Sequence, residues 1–199
     1  YKDGPLSLGM HKRGSFYDIV SVSDCQIVDE DFRRVLKIML EYFKEKQIPF
    51  YHKLRHTGYL RHFLVRKAAK TGEILVDLVT TTQMEELSGE NESALLEGWV
   101  KKLCEEKYDG VLKGILHTKN DSVADTIKNE GTDILFGQDF FYEELLGLKF
   151  KITPFSFFQT NSLGAEVLYQ TAREFIGDAL DDEANQTVFD LYSGTGTIA

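Results

Sequence analysis

"TVFDLYSGTGTIA", residues 187–199, joins the apolar run Thr187-Val188-Phe189-Asp190-Leu191 to two glycines, Gly194 and Gly196, spaced as G-x-G. The run predicts a strand, the glycines a tight turn, and Thr197-Ile198-Ala199 the first turn of a helix. Glycines at a strand-to-helix junction permit tight torsions and let a ligand approach the main chain closely. A lone G-x-G also suits an ordinary βα turn, and no Gly-Lys-Ser/Thr follows to make a P-loop. Asp190 at the strand end and the small residues around it favour a ligand with a sugar or a charged amino-acid tail. Upstream, Ser162 to Ile176 has helical period, with Ala165, Leu168, Tyr169, Ala172, Phe175 and Ile176 on its apolar side. Gly177 to Gln186 is a polar, acidic connection. Helix, strand, glycine turn and helix, in that order, open an α/β domain of the nucleotide-binding kind.

Working back from there, the texture changes. Leu148 to Ile152, Phe140 to Tyr142 and Asp133 to Gly137 read as a meander of short strands. Val111 to His117 is a further strand, and Glu92 to Lys107 an amphipathic helix with Leu95, Leu96, Trp99, Val100 and Leu103 on one side. Arg61 to Lys67 and Glu73 to Thr81 pair across a glycine-containing turn. Asp29 to Lys46 is a helix, because Phe32, Val35, Leu36, Met39, Leu40 and Phe43 recur at helical spacing and Pro49 follows as a stop. Two short runs flanking Gly14 form a hairpin. Hairpin-paired strands with two helices predict an α+β module over residues 1–150, followed by the start of a class I, Rossmann-like α/β domain over 151–199.

Composition narrows the function classes. With 42% hydrophobic and 28% charged residues in 199, the chain can bury a core, and no apolar run approaches membrane-spanning length. A net charge of -9 argues against a generic phosphate-tracking protein. From Lys46 to Lys70, however, Lys46, Lys53, Arg55, Arg61, Arg66, Lys67 and Lys70 occur with no acidic residue among them. This stretch is either a solvated face or a local basic surface. The absence of a secretory signal, with only Cys25 and Cys104 far apart, predicts reduced thiols in a cytoplasmic protein rather than a disulfide frame or a C-x-x-C metal pair. The histidines form no catalytic or zinc constellation.

A second segment, "TPFSFFQTN" at 153–161, sets three phenylalanines before two amides. A phenylalanine offers a flat stacking surface and an amide can read the edge of a base. The alternative is a buried phenylalanine cluster, with Asn161 capping the helix that follows.

Together, "ITPFSFFQTNSLGAEVLY" and "VFDLYSGTGTI" resemble the RNA (uracil-5-)-methyltransferases in order and spacing. The family pattern of Phe-x-Gln-x-Asn ahead of Asp-Leu-aromatic-x-Gly-x-Gly is met at Phe157, Gln159, Asn161, Asp190, Leu191, Tyr192, Gly194 and Gly196. Ser193 departs from it, where many members carry a cysteine that is not the nucleophile. The likeness extends to "LRHFLVRKAAKTGEILVDLVT" from Leu60 and "GILHTKNDSVADTI" from Gly114.

The resemblance implies S-adenosyl-L-methionine-dependent methylation of carbon 5 of a uridine, in 23S ribosomal RNA ahead of transfer RNA, by a monomer that engages no membrane. It implies cofactor contacts from Gln159, Asp190, Tyr192, Gly194, Gly196 and Thr197, and RNA contacts from Phe157, Gln159, Arg61 and His62. Residues 1–150 would be the RNA-facing module. Carbon 5 of uracil is a poor nucleophile, so the family adds a cysteine thiolate at carbon 6 and later removes the carbon-5 proton with a carboxylate. Both are expected beyond residue 199, so no catalytic residue is assigned and the chain by itself is expected to be inactive. Cys25 in "SDCQI" resembles one iron–sulfur ligand of the family, whose three partners would lie ahead of this segment, so the resemblance allows a cluster only in the full-length protein and no metal site is expected here. Cys104 is expected in the core. A non-catalytic RNA-binding module and an unrelated nucleotide-binding α/β enzyme are the competing readings.

Overall fold

The computed structural model describes residues 4–15, 17–87, 89–124 and 126–176, together with Phe189 and Leu191. The elements in chain order are β1 (Gly9–His11), β2 (Ile19–Ser21), α1 (Glu30–Glu45), β3 (Leu60–Lys67) and β4 (Glu73–Thr80). They continue with α2 (Glu92–Glu105), β5 (Val111–Lys119), β6 (Thr132–Gly137), β7 (Phe141–Leu145), β8 (Leu148–Ile152) and α3 (Ser162–Ile176). A 3-10 turn occupies Met84–Leu87.

Helix α1 is bounded by its own sequence. The Asp29 carboxylate accepts the Asp31 N–H at 2.9 Å, capping the first turn. At the other end Gln47 adopts a left-handed φ of 55°, and the Ile48 N–H reaches the Phe43 carbonyl at 3.1 Å while that of Gln47 reaches Lys44. Those two bonds close the helix, and buried Ile48 packs in the same core as Phe43, which is the usual hydrophobic partner of such an end. Helix α2 is capped by Asn91, which accepts the Ala94 N–H at 3.1 Å. It crosses α1 at Gly98, where a Cβ would meet the Tyr42 hydroxyl at 2.4 Å, and that hydroxyl donates to the Leu95 carbonyl.

The main sheet has the order β3-β4-β5-β6. β3 and β4 form the expected antiparallel hairpin, but β4 and β5 run parallel, with α2 as the crossover between them. The expectation of hairpin pairing throughout fails here. Parallel neighbours need a connection of a dozen or more residues, and the segment 81–110 provides one. Nor do the last strands form one meander: β6 returns antiparallel to β5, while β7 and β8 make a separate hairpin. β8 spans the expected boundary between residues 150 and 151.

Two cores flank the sheet. One packs Ile74, Val76, Leu78 and Ile115 against Val35, Met39 and Phe43 of α1 and Leu95, Trp99 and Leu103 of α2. The other packs Leu75 and Leu116 against Phe141, Leu145, Ile152, Phe158, Ala165 and Tyr169. β4 is therefore buried on both sides, which is why "ILVDLVT" reads as an almost unbroken apolar run. Cys104 is exposed, against expectation. The buried stripe of α2 ends on Leu103, and one further residue turns about 100° around the helix, off that stripe. In α3 only part of the expected apolar side is covered: Ala165 and Tyr169 are buried, whereas Leu168 and Phe175 are exposed.

Asp77 breaks the apolar run of β4 at 1% exposure. Its Oδ2 accepts the Thr118 hydroxyl at 3.0 Å, while buried Oδ1 has no hydrogen-bond partner among the described residues. Burial raises its pKa to about 6, against the opposing pull of the Thr118 hydroxyl and N–H. The fold thus favours the protonated acid, so stability is highest below the unfolded carboxylate range and falls as pH rises towards 6. The full difference corresponds to about 3 kcal/mol. Asp77→Asn should therefore raise Tm at pH 8 by several degrees, at ~2–4 °C per kcal/mol, and give almost no gain at about pH 3, below both pKa values. Melting curves at both pH values test this, and an equal gain at both would remove ionisation as the cause.

Candidate functional site

The segment 153–161 emerges from β8 and ends on α3, and each of its anchors can be traced to a side chain. The guanidinium of Arg66, on β3, lies within hydrogen-bond distance of the Thr153 (2.8 Å), Pro154 (3.2 Å) and Ser156 (2.8 Å) carbonyls. It also stands 5.6 Å from the Phe141 ring centroid and meets no carboxylate among the described residues. Burial lowers its pKa, yet a guanidinium remains charged at neutral pH. The Ser156 and Thr153 hydroxyls bond each other at 2.7 Å, closing the turn. Phe158 then inserts into the second core at 7% exposure, beside Phe150. Phe157, its neighbour, is 74% exposed.

The far end of the segment is equally fixed. Asn161 caps α3 by accepting the Gly164 N–H at 2.9 Å, as the sequence suggested. The buried Glu143 carboxylate accepts the Ser162 hydroxyl at 2.7 Å and the N–H groups of Ala69 and Lys70 at 2.5 and 3.1 Å. Glu143 thereby joins the β3–β4 turn to the start of α3. A second tie runs from Lys70 to Glu166, whose carboxylate also accepts the Leu146 N–H at 2.7 Å. The Lys70 hydrogen bond lowers the Glu166 pKa, and that bond raises the pKa of Lys70.

Of the sequence-predicted residues, Phe157 and half-buried Gln159 share this segment. An amide offers both donor and acceptor, which fits a polar ligand at that position. Asp190, Tyr192, Gly194, Gly196 and Thr197, and with them the glycine turn, lie outside the described residues. Arg61 and half-buried His62 begin β3, and Arg61 reaches away to the opposite end of the sheet. Its guanidinium donates to the carbonyls of Asn120 (2.8 Å), Ser122 (2.6 Å) and Ala124 (3.1 Å) and stacks 4.3 Å from the Tyr51 centroid. It does not pair with Glu73 or Asp77, the carboxylates on the neighbouring strand: Glu73 pairs with Lys113, and Asp77 accepts from Thr118. Cys25 is half-buried, with its N–H on the Val22 carbonyl at 3.1 Å.

The basic run from Lys46 to Lys70 does not form one surface. Lys46 pairs with Glu90 at 3.3 Å, Lys67 with Asp29 and Asp31 at 2.8 Å, and Lys70 with Glu166. Arg61 and Arg66 hold loops. Sequence reasoning missed Arg66 as a support: Phe63 and Val65 of β3 pack against the first core, and alternation turns Arg66 to the other face, where only the register of the sheet shows what it meets.

No protein-family model matches the chain. It is 48% identical over 197 residues to a protein of Caldanaerobacter subterraneus subsp. tengcongensis named as an uncharacterized RNA methyltransferase. Proteins of the same name from Clostridium tetani and Clostridium acetobutylicum are 50% and 51% identical over 197 residues. Each match covers 99% of this chain, which spans 41% of the length of those relatives. Among solved structures, the chain is similar to the Pyrococcus abyssi tRNA (uracil-54, C5)-methyltransferase in complex with S-adenosyl-L-homocysteine. That match has a TM-score of 0.70 and 25% identity, over 96% of this chain and 41% of the other.

Proposed function

We propose that this chain is part of an S-adenosyl-L-methionine-dependent RNA methyltransferase acting on carbon 5 of a uridine in 23S ribosomal RNA. The observation that carries the reading is the exposed ring of Phe157, on a segment fixed by Arg66, Phe158 and Asn161. The named relatives and the fold shared with a uracil-C5 methyltransferase support it. In this reading residues 1–150 form the RNA-facing module, and 151–199 open the methyltransferase domain. Phe157 stacks on the base, and Gln159 sits where base and cofactor meet. Gln159, Asp190, Tyr192, Gly194, Gly196 and Thr197 hold the cofactor, which supplies an electrophilic methyl group when bound. Arg61 and His62 act on the RNA side, Arg61 through the 120–124 loop that its guanidinium shapes. No cysteine of this chain is assigned as nucleophile.

The test is incubation of the full-length protein with methyl-labelled S-adenosyl-L-methionine and, separately, undermodified ribosomal and transfer RNA, followed by nucleoside analysis. Label in 5-methyluridine from ribosomal RNA is the expected result. Label only from transfer RNA would correct the substrate, and label in another nucleoside, or none, would overturn the reaction.

A further inference from the structure

The outer face of the β7–β8 hairpin carries a strip of cations and aromatic rings apart from the basic run at 46–70. Phe141, Glu143 and Leu145 turn inward on β7, as Ile152 does on β8. Alternation therefore sets Tyr142 and Glu144, with Phe140 just before them, and Lys149 and Lys151 on the outer face. The Lys151 ammonium lies 4.0 Å from the Phe140 ring centroid and that of Lys149 lies 4.7 Å from Tyr142. The two rings meet edge to face, with centroids 5.4 Å apart. Among the described residues neither lysine has an ion pair, in contrast to Lys46, Lys67 and Lys70. Glu144 shares the face in register with Lys149, but its charge acts on Lys70. Exposed Asp139 precedes Phe140.

Phe140 and Tyr142 are half-buried, and an ammonium resting on such a surface ring is only weakly held. It can move to a phosphate oxygen on a flexible stem, leaving the ring as a stacking surface for a base. β8 continues directly into the segment bearing Phe155 and Phe157, at 41% and 74% exposure, so lysines and exposed rings follow one another along the chain. We infer that Phe140, Tyr142, Lys149 and Lys151 form a docking track for single-stranded RNA that leads the strand towards Phe157. The inference rests on the reading of the 153–161 segment as substrate-facing. An acidic peptide would satisfy the lysines but gives the rings no role, and the bases of a duplex are stacked away from such rings.

The experiment measures binding of a short fluorescent oligouridylate to the full-length protein, by anisotropy, at about 50 and 200 mM KCl. Removing both strip lysines, Lys149→Ala with Lys151→Ala, should weaken binding about tenfold at the lower salt and flatten the log–log salt slope by about 1.4. Tyr142→Ala should weaken binding about tenfold with the slope unchanged. The control pair Lys101→Ala with Lys102→Ala, on the exposed side of α2, removes the same charge and should leave both quantities near wild type. Wild-type affinity and slope in the strip variants would overturn the track, as would equal weakening in the control. Methylation by the same wild-type sample separates the two proposals: activity with unchanged strip variants removes the track alone. Failure of the wild-type protein to bind the oligonucleotide at either salt would remove the track and count against the RNA reading itself.

Discussion

Arg66→Met lowers kcat/KM for RNA by about 10²-fold in the full-length protein, on the proposed reading, while the fold survives. Methionine fills most of the space of the arginine stem but donates no hydrogen bond. The Thr153, Pro154 and Ser156 carbonyls then lose the side chain that, among the described residues, gathers them. Each net bond to a charged donor contributes about 1.5–3 kcal/mol. Water can replace part of this in a half-buried loop, so the expected stability loss is about 2–3 kcal/mol in all. The activity loss is larger because a reacting geometry displaced by about 1 Å costs on the order of 10²-fold. Arg66→Lys keeps the charge without the planar fork and should fall between the two. Kinetics with RNA varied, alongside melting curves, check this. Wild-type turnover in Arg66→Met would show that Phe158 and the Ser156–Thr153 bond position Phe157 unaided.

Asp31→Ala has the largest expected effect on stability, about 3 kcal/mol. The buried Asp31 carboxylate accepts the Lys67 ammonium and the N–H groups of Asp109 and Gly110, all at 2.8 Å. It ties the start of α1 to the end of β3 and to the α2–β5 connection. Burial alone would raise its pKa, but the Lys67, Asp109 and Gly110 hydrogen bonds overcome this and hold it below the usual carboxylate range. Breaking a buried pair costs about 3–5 kcal/mol. The lower end applies, because Lys67 retains Asp29, also at 2.8 Å. The sign with pH is opposite to that of Asp77: a lowered pKa contributes stability above the unfolded value, lost as pH falls through the folded one. The stability gap between wild type and Asp31→Ala, from denaturant curves, should therefore narrow in acid. A gap constant down to pH 3 would mean that ionisation of Asp31 does not stabilise the fold.

Local signals located the elements well, because their causes are local. Asp29, Pro49 and the spacing from Phe32 to Phe43 bound α1, and Asn161 marks the start of α3. Topology was less legible. "EILVDLVTT" and "VLKGILH" both read as strands, but nothing within either states that they run parallel, since the choice depends on α2 packing across the sheet. The basic run shows the same limit. Its charges looked uncompensated because Asp29, Asp31, Glu90 and Glu166 lie outside the interval and reach it only in the fold. The pair of amides and the phenylalanines at 153–161 were legible as a candidate site, whereas Arg66, Glu143 and the outer face of β7–β8 needed the register of the strands. The fate of Cys104 turned on a single helical step.

Arg66 and Arg61 hold their loops through main-chain carbonyls, and a carbonyl has no proton to gain across the range where proteins function. The clamp on the 153–156 turn is therefore indifferent to acidity, and, as an ion–dipole contact in a half-buried setting, only weakly responsive to salt. The neighbouring tie between Lys70 and Glu166 differs. The Glu166 carboxylate must be ionised, so that tie loosens as pH falls through its lowered pKa. On acidification the attachment of α3 should slacken before the turn that presents Phe157 does. The molecule thus separates the shape of the 153–156 turn, which the solvent cannot retune, from the seating of α3, which it can.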